Sequence, residues 1–151
     1  MSEKLKIRVK YHDDGKGEPL KKIEKITIGD WIDLRCAKHM NISCYHHELI
    51  PLGVSMKLPE GYEAHIVLRS STFKLTGLIQ TNSMGIIDNS YSGDDDEWKM
   101  PVYAIRDTLV VKNDRICQFR IIKHQPVIEF VEVAASNDGE ARGGFGSTGV
   151  N

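Results

Sequence analysis

Apolar and polar residues alternate over much of this chain. Leu5-Lys6-Ile7-Arg8-Val9-Lys10 puts an apolar side chain at every second position, the period of a strand with one buried face. Residues 22–28 repeat the pattern more weakly. Residues 62–68, 109–111, 116–122 and 127–133 are further short runs rich in β-branched side chains. Turn-forming groups divide them: Asp13-Asp14-Gly15, Pro59-Glu60-Gly61, Ser92-Gly93-Asp94 and Lys112-Asn113-Asp114. Many short strands at such spacing predict an all-β sandwich or barrel. Helical signals are few. Residues 31–40 read either way, because Leu34, Ala37 and Met40 stand three apart, and residues 70–75 predict one short helix with a hydroxyl cap. After Val133 the chain turns small, polar and glycine-rich. The expected organisation is a β domain over residues 1–135 and an arm over 136–151, which composition alone marks as flexible.

Charge and cysteine content narrow the function classes. Twenty Lys and Arg against 21 Asp and Glu leave a net charge of −1, without the basic excess of a general nucleic-acid binder. No run reaches the ~18 apolar residues of a spanning helix, and MSEKLKIRVK lacks the apolar stretch of a signal peptide. Three cysteines with no C-x-x-C pair suggest neither a disulfide framework nor a zinc ribbon. These features lead us to expect a single cytoplasmic domain that binds neither membrane nor nucleic acid.

Four segments are unusual for a plain β domain. Arg69-Ser70-Ser71-Thr72 follows an apolar strand and offers donors for phosphate oxygens, although a helix cap beside a surface arginine also explains it. Residues 77–93 read as a β-hairpin turning at Asn82-Ser83-Met84-Gly85, with Ile86 and Ile87 leading into Asp88 and Tyr91. A carboxylate at a strand end can polarise a water; it can equally be a turn aspartate. Asp114-Arg115-Ile116-Cys117-Gln118-Phe119 sets polar residues among apolar ones, as a strand edge or a ligand-facing strand would. Residues 142–149, Arg-Gly-Gly-Phe-Gly-Ser-Thr-Gly, combine exposed backbone donors with hydroxyls and one aromatic ring, without the spacing of a Walker loop.

Together these segments resemble the trimeric dUTPase family. Gly-Ile-Ile-Asp-Asn-Ser-Tyr-Ser-Gly (85–93) and Gly-Gly-Phe-Gly-Ser-Thr-Gly (143–149) carry the likeness most specifically. Arg69-Ser70-Ser71, Arg115-Ile116-Cys117-Gln118 and Asp33-Leu34-Arg35 support it in the family's order. The resemblance implies a homotrimer of distorted jelly-roll-like β-barrels with at most one short helix and a flexible C-terminal arm. It implies hydrolysis of dUTP to dUMP and pyrophosphate with Mg2+ held mainly by the substrate phosphates rather than by protein ligands. Asp88 would activate the attacking water. Arg69, Ser70, Ser71 and Gln118 would surround the phosphates, and Asp33 would sit near the metal's waters or Asp88. Asn82, Gly85, Ile86 and Ile87 would read uracil and Tyr91 would pack under the deoxyribose. Phe145 would stack on the base while Arg142, Ser147 and Thr148 hold the terminal phosphates. Three chains would share each site, the arm closing over a neighbour.

The chain departs from the family pattern in three places. Asp30-Trp31 replaces the usual Ala-Gly, and Glu140 stands where the arm's arginine is usual, with Arg142 nearer the phenylalanine. Residues 94–101 follow Gly93 where many relatives continue directly into a strand; their acidic run reads as a solvated loop, and Trp98 as core or subunit packing. His46-His47 lacks partners at metal-ligand spacing. The alternatives are dCTP deaminase, for which residues 102–106 lack a glutamate, and a nucleotide-sensing regulatory protein with its own protein partner.

Overall fold

The computed structural model describes residues 3–24, 28–135, 139, 141 and 143–145. Among them are eleven strands and one short helix. The strands are β1 (Arg8–Tyr11), β2 (Ile32–Arg35), β3 (Met40–Ile42), β4 (His47–Pro51), β5 (Val54–Lys57), β6 (Tyr62–Leu68), β7 (Leu78–Gln80), β8 (Gly85–Ile87), β9 (Lys99–Ala104), β10 (Thr108–Val110) and β11 (Arg115–Lys123). Helix α1 (Thr72–Thr76) lies between β6 and β7. One antiparallel sheet runs β2-β11-β6-β8 and a second β4-β9-β7; β1 pairs with β5, and β10 with β3. The nearly all-β expectation holds, and no described helix is long and apolar enough to cross a membrane.

Period-two patterning aims the two sheets at one core. In β6, Ala64 and Ile66 are buried while Glu63, His65 and Val67 look outward. Leu34, Cys117 and Phe119 join them from β2 and β11; Ile50, Leu78, Met100, Val102 and Ala104 come from the opposing sheet. Trp98 is fully buried and meets the Phe119 ring edge-on, with centroids 5.4 Å apart and planes at 89°. Trp98 therefore belongs to the core, as the packing reading expected.

Several local expectations are corrected. The ambiguous stretch 31–40 forms two strands with a bend between them, because Leu34 points into the core at strand period. The first strand begins at Arg8, and its apolar side is only half-buried: Ile7 and Tyr11 pack against the core, while Leu5 and Val9 remain exposed. Residues 22–24 form no strand, and 25–27 lie outside the described residues. Residues 127–133 also form no strand. Val127, Phe130 and Val131 stand in solvent, since no sheet edge of the same chain reaches them. Helix α1 lacks the expected hydroxyl cap, Ser71 making no side-chain cap bond. The helix ends at Gly77, whose φ of 72° lets its N–H reach the Phe73 carbonyl at 2.7 Å.

Candidate active site

Strand register assembles the first half of the site. Gln118 on β11 stands directly between Asp33 on β2 and Val67 on β6, so these side chains share the outer face of the sheet. Arg69, just past the end of β6, sets its Nε 3.2 Å from Asp33 Oδ1. Arg115 approaches the other Asp33 oxygen at 3.7 Å. The same guanidinium lies 3.7 Å from Glu24, which in turn accepts from Arg35 at 2.9 Å. Charges thus alternate Arg35–Glu24–Arg115–Asp33–Arg69. Within this chain Asp33 is an arginine counter-ion rather than a neighbour of Asp88, because the register puts it at the other end of the sheet.

Arg69, Ser71, Thr72, Asp114 and Arg115 line an open groove of about 310 Å³. Ser70 is exposed and Ser71 half-buried; Thr72 donates to the Ile116 carbonyl at 2.9 Å and fixes α1 beside β11. Glu24 reaches the arginines because its segment is pinned to the β10–β11 turn. Lys112, with a side chain only 3% exposed, meets Asp13 at 2.6 Å, Asp14 at 2.9 Å and the Lys16 carbonyl at 2.9 Å. Asn113 accepts from Lys21 N–H and donates to the Pro19 carbonyl. The Leu20 N–H, then Lys112, hold the Asp13 carboxyl well below the usual carboxylate range. In the sequence Arg115 reads only as part of a motif and Glu24 carries no signal, because its approach depends on this long-range clasp.

The second half is a turn. Asp88 is exposed; its Oδ1 accepts from the Ser90 hydroxyl and from the Ser90 N–H at 2.8 Å. Among the described residues Oδ2 makes no hydrogen bond, so one carboxylate oxygen is fixed and the other faces solvent. The hydroxyl of Ser90, then its N–H, lower the Asp88 pKa, which keeps the group ionised at neutral pH. Tyr91 N–H bonds the Asp88 carbonyl at 3.3 Å, and Tyr91 Oη donates to the Glu97 carbonyl at 2.9 Å. Asn89 donates to the carbonyls of Leu58 and Pro59, tying the turn to the loop before β6.

The predicted hairpin is not one. β7 pairs with β9 and β8 with β6, so the two strands are facing edges of different sheets. Gln80, which carries no signal in the sequence, ties the end of β7 to β6. Its side-chain amide accepts from Leu68 N–H at 3.1 Å and donates to the Ile66 carbonyl at 3.0 Å and to Asn82 Oδ1 at 2.9 Å. This amide stands in for ladder bonds between β6 and β7, next to the turn of residues 82–84. Ser83 has φ 61° in the tight turn closed by the 2.6 Å bond from Met84 N–H to the Asn82 carbonyl. Ile86 is exposed, while Gly85 and Ile87 are half-buried against β6.

The two halves do not meet. Ile87 lies opposite Ala64, so Asp88 falls at the level of Glu63, six residues from Arg69 along β6 and about 20 Å away at ~3.3 Å per residue. The structure brings Asp33, Gln118 and Arg69 together at one end of β6 and puts Asp88 and Tyr91 near the other; Asn82 and Gly85, beside Ile66, lie between them, and Ile86 and Ile87 lead from there to Asp88. Phe145 is fully exposed; Arg142, Ser147, Thr148 and Glu140 lie outside the described residues. His46 and His47 are exposed, and the described residues contain no cluster of three or more metal-ligating side chains. The acidic run is only partly solvated: Asp94 and Asp95 are exposed, whereas Asp96 and Glu97 are half-buried and hydrogen-bonded to Gly93 N–H and Gly53 N–H.

The family model for dUTPase matches residues 31–149. The chain is 54% identical over 146 residues to the SPbeta prophage-derived deoxyuridine 5'-triphosphate nucleotidohydrolase YosS of Bacillus subtilis (strain 168), covering 97% of this chain and 99% of that protein. It is 37% identical to the deoxyuridine 5'-triphosphate nucleotidohydrolase of Finegoldia magna, covering 82% and 87%. Among solved structures, the Staphylococcus bacteriophage 80alpha dUTPase with dUpNHpp superposes with a TM-score of 0.75 at 20% identity, covering 96% of this chain and 99% of that one. The dUTPase of S. aureus phage phi11, which coordinates a structural Mg(II) ion, gives 0.71 at 16% identity over 85% and 97%.

Proposed function

The chain belongs to the dUTPase family and hydrolyses dUTP to dUMP and pyrophosphate, and from that premise we propose how its own residues divide the reaction. Asp88 Oδ2 orients and polarises the water that attacks the α-phosphorus; Ser90, on Oδ1, keeps the carboxylate ionised and aimed. An ionised carboxylate is a weak base, so most of the acceleration comes from positioning and charge neutralisation. Arg69, Ser70, Ser71 and Gln118 hold the phosphates, with Arg115 added from the groove. Asp33 bridges the two arginines, offsetting their mutual repulsion and holding both at the phosphate end.

The free edges of β7 and β8 support uracil recognition. Each is the last strand of its sheet and carries backbone donors and acceptors free of ladder pairing, which a uracil edge satisfies and a cytosine edge mismatches. Tyr91 lies under the deoxyribose, where a 2′-hydroxyl would lose its hydrogen bonds at about 1–3 kcal/mol. The arm, residues 136–151, closes the site with Phe145 on the base and Arg142, Ser147 and Thr148 on the terminal phosphates.

The single observation that carries the architecture is the ~20 Å between Asp88 and Arg69 along β6. One α-phosphorus cannot touch both ends of a strand, so each site takes Asp88 from one copy and Arg69 from another in a homotrimer. The unpartnered apolar residues Val127, Ile128, Phe130 and Val131 support the same assembly, being suited to pairing on a neighbouring copy. The solvent-facing Oδ2 of Asp88, with no protein cage among the described residues, fits a Mg2+ carried by the triphosphate. When bound, that ion neutralises phosphate charge. Free thiols at Cys36, Cys44 and Cys117 fit a reducing cytoplasm.

A turnover assay over dUTP, UTP, dTTP and dCTP with Mg2+ tests base, sugar and chemistry together. Pyrophosphate from dUTP alone is expected. Ammonia from dCTP would overturn the assignment in favour of deamination.

A further inference from the structure

We infer that Glu97, in the acidic loop after the Asp88 turn, is a positioning residue for Tyr91 and sets how strongly the site rejects a ribonucleotide; this rests on the reading of Tyr91 as the residue beneath the deoxyribose. The Tyr91 hydroxyl donates to the Glu97 backbone carbonyl at 2.9 Å. That carbonyl is itself fixed from both sides. The Glu97 carboxylate accepts the Gly53 N–H at 3.0 Å. The next residue, Trp98, bonds the backbone of Leu52 at 3.0 Å and Val54 at 2.8 Å, with its indole fully buried. Gly53 has φ 71°, and a Cβ there would run into Leu20 Cδ2 and crowd Ala37, so only glycine presents this N–H to the loop.

Anchors on the other side of the loop complete the brace. Asp96 accepts from Gly93 N–H at 2.8 Å and returns its own N–H to the Gly93 carbonyl at 3.1 Å. The Asp94 carbonyl accepts from Ser55 Oγ at 3.0 Å, and His12 Nε2 lies 2.6 Å from the same hydroxyl. Tyr91 is 38% exposed and would otherwise sweep its ring about two torsions. Excluding one hydroxyl requires the ring to stay within about 0.5 Å of its place. A tether from the phenol oxygen to a carbonyl locked on the β4–β5 turn meets that requirement. Burial, then the charges of Asp96 and Glu97, raise the phenol pKa, so the group remains a donor at neutral pH.

The test measures kcat/KM for dUTP and UTP, with the melting temperature, in Glu97→Ala, Glu97→Gln, Tyr91→Phe and Tyr91→Ala. Glu97→Ala should lower the dUTP-over-UTP ratio about tenfold, the equivalent of one lost hydrogen bond. Glu97→Gln retains a carbonyl oxygen for Gly53 and should restore the ratio. Tyr91→Phe keeps the ring and loses only the tether, so it should match Glu97→Ala, with no further loss in the double variant. An unchanged ratio in Glu97→Ala, when Tyr91→Ala abolishes the preference, overturns the role of Glu97 alone. A uniform fall for both substrates in step with melting temperature does so as well. An unchanged ratio in Tyr91→Ala overturns the reading of Tyr91 itself, and the inference with it.

Discussion

The two ends of β6 are built by different means. At its C-terminal end Asp33, Gln118 and Arg69 are placed by register across three strands, then tied into an alternating network that reaches Arg115, Glu24 and Arg35. Near its N-terminal end Asp88 and Tyr91 sit in a turn held by short-range bonds from Ser90 and by the loop ending at Glu97. Strand register holds charges in fixed positions, as the proposed grip on phosphates requires. A turn, free of ladder bonds, can leave one carboxylate oxygen bare for water. In the proposed trimer, the separation between these ends gives one copy's Asp88 to one site and its Arg69 to another.

The largest expected effect lies at the turn. Asp88→Asn should lower kcat about a thousandfold while dUTP binding, followed by calorimetry, stays nearly intact. Equal turnover would remove Asp88 from the chemistry. Mixing the two ends then tests their separation. Neither Asp88→Asn nor Arg69→Ala chains should turn over well alone, yet refolded together they should recover activity in about one quarter of sites, as random assembly of a trimer with shared sites requires. No recovery would mean that both residues serve from one chain. Truncation after Ala135 should cost about a hundredfold in kcat/KM without changing the melting temperature or the oligomer mass, because the role proposed for residues 136–151 is to order substrate.

Smaller effects separate the two ends by pH. Ser90 lowers the Asp88 pKa, so Ser90→Ala should move the acid limb of kcat/KM to higher pH, whereas Glu24→Gln at the other end should leave that limb in place. The clasp gives the opposite readout. The fold depresses the Asp13 pKa, so the stabilisation it contributes is complete above the ordinary carboxylate value near ~4 and is lost as pH falls through the depressed one. The melting-temperature gap between wild type and Asp13→Asn should therefore be constant from neutrality to about pH 5 and close only below about pH 4. Least affected should be thiol chemistry at Cys36, where burial pushes the pKa up to about 11 and alkylation at pH 8 should be slow.

The strands around the site were legible because their burial alternates within a few residues. Residues 62–68 and 116–122 announce β6 and β11 on that ground alone, as Leu34 does not. The turn of Asp88 was legible as a motif, and so was Gln118. Val127 to Val133 misled because β-branched residues signal a strand without saying whose edge it joins. The apparent hairpin misled because Asn82-Ser83-Met84-Gly85 is good turn chemistry whichever sheets the flanking strands enter. Gln80 and Glu24 carried no signal: a lone glutamine or glutamate is unremarkable until the backbone it bonds is known.

By itself the sequence determined the all-β class, the order of the segments that carry chemistry, and the residue types that a nucleotide triphosphate requires. These are local properties, written in alternation, turn residues and the spacing of polar side chains. The tertiary structure decided which segments share a face, how far apart the two ends of the candidate site stand, and which carboxylate is paired with arginines and which keeps a free oxygen. Asp33 and Asp88 are the same side chain with about the same intrinsic acidity. One is held between two arginines by register, the other is left with a free oxygen by a turn, and neither placement follows from neighbours in the chain.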